Sequence, residues 1–109
     1  MITEQRLTQA LKYLAETDEP AAKAKAYMLG LEGQEKTVLA TQFLGTWLEG
    51  KKVAEKDAAA RTSVPYFEWM DQYKESVYDF EILRNKRSTE ALIVEVWRSL
   101  NANQRRGNV

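Results

Sequence analysis

Apolar residues recur along this chain at intervals of three and four, the spacing that places side chains on one face of an α-helix. The first such series predicts a helix over 3–16 with Thr3 as its N-cap, and its apolar members are Leu7, Ala10, Leu11 and Leu14. No six-residue stretch between turn residues alternates apolar and polar positions, as a half-buried strand would. The pattern therefore predicts an all-α protein.

A second helix is predicted from Glu19 to Leu48. The segment Thr17–Pro20 marks its start, because it supplies a capping side chain, first-turn acids and a Pro where the missing N–H costs little. Gly50 is the predicted C-cap. Gly30 and Gly33 lie inside this helix, and each lowers helix stability by about 1 kcal/mol relative to Ala, so a bend is possible there.

Two more helices follow in the predicted order. A short one covers Val53–Arg61 and a long one covers Pro65–Asn101, with Ser63 or Val64 in the cap position. At ~1.5 Å per residue the long helix spans about 55 Å, whereas a compact chain of this length has a radius of gyration of about 13 Å. The sequence thus predicts a single elongated domain over 1–109. Its fold is an antiparallel helical hairpin, with the second helix along the last, and two shorter helices.

Composition narrows the chemistry that this chain can perform. It has 109 residues, 44% of them apolar, with 16 Lys and Arg against 16 Asp and Glu. It contains no Cys and no His, which excludes disulfides, thiolate or imidazole metal sites, and catalytic triads that need an imidazole. Because the net charge is zero, the protein as a whole has no electrostatic attraction to nucleic acid or to a membrane surface.

Paired carboxylates are the remaining candidates for catalysis or cation binding. Glu32 and Glu35 are three residues apart, and Asp71 and Glu75 are four apart, so each pair shares a helix face. On helices this charged, such pairs are typical of a solvated surface, and a metal site in a helical bundle uses Glu-x-x-His motifs. No phosphate-binding Gly-rich loop or nucleophile elbow is present. We therefore expect no catalytic residue, no metal and no cofactor.

Six of the chain's eleven aromatic residues lie within fifteen positions: Tyr66, Phe67, Trp69, Tyr73, Tyr78 and Phe80. Such a cluster can stack single-stranded nucleic acid when basic residues are interleaved. The same window has four acids and one Lys, a net charge of −3 that repels phosphates. A 4-3-4-3 spacing, typical of a coiled-coil seam, favours core or interface packing instead, over Tyr66, Met70, Tyr73, Val77 and Phe80.

Beyond Phe80 the same seam continues through polar positions, while the apolar residues move to another line of the helix. Positions 80 and 82 differ by ~200° at 3.6 residues per turn. Either the helix breaks near Asn85–Ser88, where propensity is modest and N-caps are present, or one continuous helix packs its halves on different partners. We favour the continuous helix, because another subunit offers the second face that an intramolecular hairpin lacks.

The displaced apolar residues predict a homo-oligomer, most simply a two-fold dimer, with an interface of Leu92, Ile93, Val96, Trp97 and Leu100. Burying a large apolar side chain contributes ~1.5–3 kcal/mol, so leaving all of them in water is unfavourable. The alternative is that the first helix folds back and covers them through Leu7, Leu11 and Leu14. The line of Arg84, Arg87 and Arg98 in the path of an intramolecular seam favours the dimer.

Charge is unevenly placed along the chain. Residues 84–109 carry six basic and two acidic side chains, against a net charge of −2 in 1–50 and −2 in 51–83. The basic side chains available for phosphate contacts are Arg84, Lys86, Arg87, Arg98, Arg105 and Arg106. Cations near a helix C-terminus also offset the helix dipole, and residues 103–109 are predicted to form a frayed basic tail. Direct nucleic-acid binding is thus the alternative to a protein interface.

Neither a targeting signal nor a membrane span is recognisable. The first six residues lack the basic region and apolar core of a secretory signal. The longest purely apolar run is four residues, far short of the ~20 that span a bilayer. We expect a cytoplasmic protein that does not enter a membrane.

Four segments resemble small helical proteins encoded by tailed bacteriophages and prophages. They are LKYLAETDE at 11–19, VAEKDAAAR at 53–61, LRNKR at 83–87 and VEVWRSLNAN at 94–103. The resemblance covers most of the chain and brings no catalytic motif. The second helix of those proteins is acidic and free of glycine, whereas this chain has two glycines there.

The resemblance implies a role as well as an origin. Genes for such proteins often lie near phage recombination and single-strand-binding genes, which implies an accessory role in recombination or replication in the host cytoplasm, with a protein partner of unknown identity. The sequence-based prediction is therefore a non-enzymatic, self-associating helical interaction protein of phage origin. Direct nucleic-acid binding through the basic C-terminal third is its alternative.

Overall fold

The computed structural model describes residues 1–45 and 52–107. These residues form four helices and no strand: α1 Glu4–Gly33, α2 Glu35–Leu44, α3 Val53–Arg61 and α4 Val64–Gly107. The all-α class is confirmed, with an antiparallel helical hairpin, a long C-terminal helix and two shorter helices. Within the described part of the chain, no helix combines the length and the apolar character needed to cross a membrane.

The first helix, α1, is longer than predicted. Thr3 is its cap, as predicted, and Thr3 Oγ1 accepts a hydrogen bond from the backbone N–H of Arg6 at 3.0 Å. The predicted break at Thr17–Pro20 is wrong, because α1 runs through this segment. Thr17 caps nothing, and its Oγ1 donates within the helix to the Tyr13 carbonyl at 2.7 Å. The Ala-rich turns that follow have high helix propensity and offset the backbone donor that proline lacks.

Pro20→Ala is therefore expected to raise the free energy of unfolding by about 1–2 kcal/mol. The change restores the intrahelical N–H donor at position 20 and removes the clash of the proline ring. Part of this stabilisation is lost, because the unfolded chain has more conformational entropy with alanine than with proline. Pro65→Ala is the matched control, since Pro65 lies in the first turn of α4, where a backbone N–H has no helical acceptor. Urea unfolding followed by circular dichroism measures both. A destabilised Pro20→Ala variant would show that the protein depends on proline at this position.

The second predicted helix is not one element, because α1 ends at Gly33 and α2 begins at Glu35. At this break the Leu31 carbonyl accepts hydrogen bonds from the Gln34 N–H at 3.1 Å and from the Trp69 indole Nε1 at 2.6 Å. A continuous helix would offer that carbonyl to the N–H of Glu35. The tight turn and the indole occupy it instead, at the point where glycine weakens the helix.

The third helix, α3, has the bounds that the sequence predicts, Val53–Arg61. It packs against α2, and the Lys56 ammonium lies 5.7 Å from the centre of the Phe43 ring. The predicted helix end at Leu48 and C-cap at Gly50 lie outside the described residues.

The last helix, α4, is a single helix of 44 residues, about 66 Å long. It begins at Val64, and Ser63 caps it by accepting a hydrogen bond from a first-turn backbone N–H at 3.4 Å. The helix continues through Asn85–Ser88, so the continuous helix favoured from the sequence is confirmed. The predicted end at Asn101 is wrong, because the first part of the expected tail is helical as far as Gly107.

The chain divides into two compact units, of which unit 1 comprises Met1–Lys23 and Phe80–Val109. In this unit the start of α1 lies antiparallel beside α4. Two ion pairs show the direction, Arg6 with Glu90 at 2.7 Å and Asp18 with Arg87 at 3.3 Å. The helix along this part of α4 is therefore the beginning of α1, and the predicted pairing of α4 with the second helix alone is corrected.

Unit 2 comprises Ala24–Asp79 and holds an aromatic core. The Trp69 ring stacks with Tyr66 at 5.5 Å and with Tyr73 at 5.4 Å between ring centroids. Tyr66 and Trp69 are buried with Leu31, and the residues packed against them are Val38, Leu39, Met70 and Tyr73. The packing function favoured for the aromatic cluster is confirmed at these three rings, whereas Phe67 and Tyr78 are exposed.

Candidate interaction surface

The side of α4 that faces α1 in unit 1 keeps one spacing along its length. Its half-buried residues follow intervals of 4-3-4-3-4: Leu83, Arg87, Glu90, Val94, Trp97 and Asn101. Of the positions predicted to continue the seam beyond Phe80, Arg87, Val94 and Asn101 lie on this face, whereas Arg84, Ala91 and Arg98 are exposed. The packing face therefore does not change sides near residue 85. This face includes two charged residues, Arg87 and Glu90, and each forms an ion pair with a residue of α1.

Arg87 connects α4 to α1 through three contacts. Its Nη1 donates to the Leu14 carbonyl at 2.9 Å and to Thr17 Oγ1 at 2.6 Å, and its Nη2 donates to the Asp18 carboxylate at 3.3 Å. The Arg87 side chain is 23% exposed, so protein acceptors replace much of its water. These acceptors lie in the turn that precedes Pro20, where α1 loses a backbone donor.

Arg6 and Glu90 form the second charged contact between these helices. Arg6 Nη2 donates to Glu90 Oε1 at 2.8 Å and lies 2.7 Å from Oε2, which takes part in the ion pair without an aligned hydrogen bond. The hydrogen bond with Glu90 raises the pKa of Arg6 above its ordinary value, because it stabilises the charged guanidinium. Together with Arg87, this pair sets the position of α1 along α4.

Sequence reasoning missed both contacts. Polar residues at seam positions of a helix indicate polar partners on the facing helix, and Arg87 and Glu90 carry that signal. Spacing alone does not show which residue of the facing helix pairs with each charged side chain. The register of α1 on α4 has to be known first.

A different side of α4 in unit 1 carries a row of exposed apolar residues, which we call the α4 stripe: Ile82, Leu92, Val96 and Leu100. Their exposed fractions are 39%, 63%, 40% and 41%. Thr89, also exposed, lies seven residues from both Ile82 and Val96, so the three follow one line of the helix. Single exposed apolar residues are ordinary, but a row of them on one helix face is typical of an interaction surface.

The residues predicted to form an oligomer interface divide between two environments. Leu92, Val96 and Leu100 belong to the exposed α4 stripe, whereas Ile93 and Trp97 are half-buried. The alternative, in which the first helix covers these residues, is met only in part. The beginning of α1 lies along this portion of α4, yet its own Leu11 is 50% exposed.

The six basic side chains predicted for phosphate contacts differ in their surroundings. Arg84 and Arg98 each pair with the glutamate three residues before them, at 3.4 Å and 3.3 Å. Arg87 is bound by α1. The remaining three are exposed: Lys86, Arg105 and Arg106. Half of the predicted contacts thus already have partners, and direct nucleic-acid binding stays a prediction.

Unit 2 has a groove of about 320 Å³ between α2 and the start of α4. Its lining is mostly amide and hydroxyl, with one carboxylate and three apolar residues: Gln34, Thr37, Val38, Thr41, Gln42, Pro65, Glu68, Trp69 and Gln72. The indole of Trp69 is stacked with two tyrosines and hydrogen-bonded to a carbonyl. The aromatic surface in this groove is therefore engaged within the core.

Neither of the two predicted carboxylate pairs lines this groove. Glu32 and Glu35 flank the break between α1 and α2, and Asp71 and Glu75 are exposed on α4. Among the residues that the structure describes, no three His, Cys, Asp or Glu side chains are placed to hold a metal ion.

Comparison with known proteins assigns no function to the α4 stripe. No protein-family model, curated protein sequence or solved structure matches this chain.

Proposed function

We propose that this is a non-enzymatic interaction protein that self-associates, and that the α4 stripe is the surface on which a second copy packs. The observation that carries the proposal is the row of exposed apolar side chains on a side of α4 that α1 does not cover. Arg6 and Arg87 tie α1 to a different side of α4 and leave the stripe in solvent.

A second copy is the simplest occupant of the α4 stripe. In a two-fold pair the same patch is buried on both subunits, so each apolar side chain contributes twice. Full burial of one such side chain is worth ~1.5–3 kcal/mol, and the stripe offers four half-exposed ones per copy. That sum is of the same order as the cost of bringing two chains together, which is about 4–15 kcal/mol.

The wider role that we propose is that of an accessory factor in phage recombination or replication, acting in the host bacterial cytoplasm. Only the resemblance of four sequence segments supports it. In that role the self-associated protein would bind a further protein partner.

Leu92→Asp is expected to weaken self-association at least ~100-fold, because a two-fold pair loses two apolar contacts and gains two desolvated carboxylates. Sedimentation equilibrium across micromolar concentrations measures the dissociation constant. Leu29→Asp is the matched control, since Leu29 is 49% exposed on α1 in unit 2. Trp97 is unsuited to this test, because it is half-buried on the α1 side.

Two results would contradict the proposal. One is a wild-type protein that sediments as a 12.5 kDa monomer at every concentration. The other is a Leu29→Asp variant that loses self-association as completely as Leu92→Asp, which would place the interface elsewhere.

A further inference from the structure

The groove of unit 2 has unpaired polar side chains on both of its walls. Gln34, at the N-cap of α2, and Gln42 lie on one wall, and Glu68 and Gln72 of α4 lie on the other. Within the described part of the chain these four side chains make no hydrogen bond and no ion pair. Gln42 is half-buried, so its carboxamide has lost part of its water without gaining a protein partner. The groove therefore has hydrogen-bonding capacity that the fold does not use.

The chemistry of the lining disfavours two classes of ligand. Glu68 is the single charged side chain among the lining residues, and residues 66–80 carry a net charge of −3, so a phosphate or another anion is repelled. A nucleobase binds by stacking on an aromatic face. The ring of Trp69 offers no such face, because Tyr66 and Tyr73 are stacked on it. The lining favours a ligand that is neutral or cationic and rich in hydrogen-bonding groups.

We propose that this groove binds an extended peptide segment that carries a basic side chain. A carboxamide presents an N–H donor and a carbonyl acceptor side by side, so a glutamine can pair with both groups of a peptide unit. An extended segment has these groups free, whereas a helix uses its own. Gln34 and Gln42 lie eight residues apart along α2, about 12 Å, which is the length of three to four extended residues.

Glu68 supplies the preference for a basic side chain. It is exposed on the wall of the groove, and Asp71 adds negative charge one turn further along α4. Successive side chains of an extended segment point to opposite sides, so a lysine or arginine can reach Glu68 while the backbone pairs with the glutamines. This inference concerns unit 2 alone and does not rest on the self-association proposed for the α4 stripe.

NMR spectroscopy of the ¹⁵N-labelled protein tests the proposal with the probe peptide acetyl-Ala-Ala-Arg-Ala-amide. The side-chain amide signals of Gln34, Gln42 and Gln72 are expected to shift along one saturation curve, because these carboxamides pair with the peptide backbone. The side-chain signal of Gln9, which is exposed on α1 in unit 1, should not move. Titration to about 5 mM peptide detects a Kd of ~1 mM or tighter, and no saturable shift over that range would overturn the proposal.

Variants of the groove should weaken binding of the probe by different amounts. Gln72→Ala is expected to raise the Kd about 2- to 12-fold, the effect of one hydrogen bond. Glu68→Gln is expected to raise it about 1.4- to 5-fold, the effect of one exposed ion pair. Glu75→Gln is the matched control, because Glu75 is exposed on the same helix but does not line the groove. A loss with Glu75→Gln as large as with Glu68→Gln would mean general attraction to an acidic helix and would overturn the proposed site.

Variants of the probe separate recognition of the peptide backbone from attraction to a cation. Methylating the backbone nitrogens removes the N–H donors and is expected to raise the Kd by about tenfold or more. Replacing arginine by glutamate in the probe should also weaken binding, because the new carboxylate meets Glu68. Spermidine, which has ammonium groups but no peptide units, is expected to leave the glutamine signals unchanged. A methylated probe that binds as tightly as the original, or equal shifts with spermidine, would overturn peptide recognition.

Discussion

Trp69→Ala is expected to lower the free energy of unfolding by about 3–5 kcal/mol, the usual cost of removing a buried tryptophan side chain. Trp69 is 6% exposed and belongs to the core of unit 2. Its ring stacks with two tyrosines, and its Nε1 donates to the Leu31 carbonyl at 2.6 Å. The alanine variant loses apolar burial, both ring contacts and a buried hydrogen bond at once.

Two further variants separate these contributions. Trp69→Phe keeps a ring but removes the indole donor, and the Leu31 carbonyl retains the Gln34 N–H, so a loss of about 0.5–1.5 kcal/mol is expected. Phe67→Ala, two residues away and 48% exposed, is expected to cost less than about 1 kcal/mol. Urea unfolding followed by circular dichroism compares the three. A Trp69→Phe variant as stable as the wild type would show that the indole hydrogen bond contributes nothing.

Arg87→Ala is expected to lower the free energy of unfolding by about 1.5–3 kcal/mol, the range for hydrogen bonds to a charged group. The variant removes the donors that reach Leu14, Thr17 and Asp18 from α4. It also leaves space on the face where α1 and α4 meet. Hydrogen exchange should increase first in the backbone amides at the beginning of α1, because these contacts belong to unit 1.

Arg84→Ala is the matched control for Arg87→Ala. Both residues lie on α4 one turn apart, but Arg84 forms only an exposed ion pair with Glu81 at 3.4 Å. Such pairs contribute about 0–1 kcal/mol, so a loss below about 0.5 kcal/mol is expected. Arg87→Lys should recover little, because an ammonium lacks the planar fork that reaches several acceptors. Equal losses for the two alanine variants would mean that α1 gains nothing specific from Arg87.

These charged contacts explain how unit 1 is specified with few apolar contacts. Ala10 is fully buried there, while Leu7, Leu14, Val94 and Trp97 are only half-buried. A narrow apolar face permits several registers between two helices. Arg87 and Glu90 favour one, because sliding α1 by a turn would leave both without partners. The same arrangement leaves the apolar residues of the α4 stripe exposed to solvent.

The sequence by itself determined the features that local physics controls. The all-α class, the bounds of α3 and the cap Thr3 follow from apolar spacing and capping chemistry, and Ser63 is one of the two cap positions predicted for α4. The sequence allowed either a break or a continuous helix at Asn85–Ser88, and the structure shows the continuous helix that was favoured. Packing of the aromatic residues was also readable, because their 4-3-4-3 spacing requires a facing helix.

Only the tertiary structure decided where α1 ends and which side of α4 it covers. Local signals at Pro20 and Gly33 are each worth one to a few kcal/mol, about as much as a single contact with another helix. Around Pro20 the helix continues, and Arg87 holds the preceding turn to α4 through the Leu14 carbonyl and Thr17 Oγ1. At Gly33, Trp69 takes the Leu31 carbonyl and the helix ends. The helix-breaking signal was thus overridden at Pro20 and reinforced at Gly33. The sequence could not show this, because the contacting side chains on α4 lie about 40 to 70 residues away along the chain.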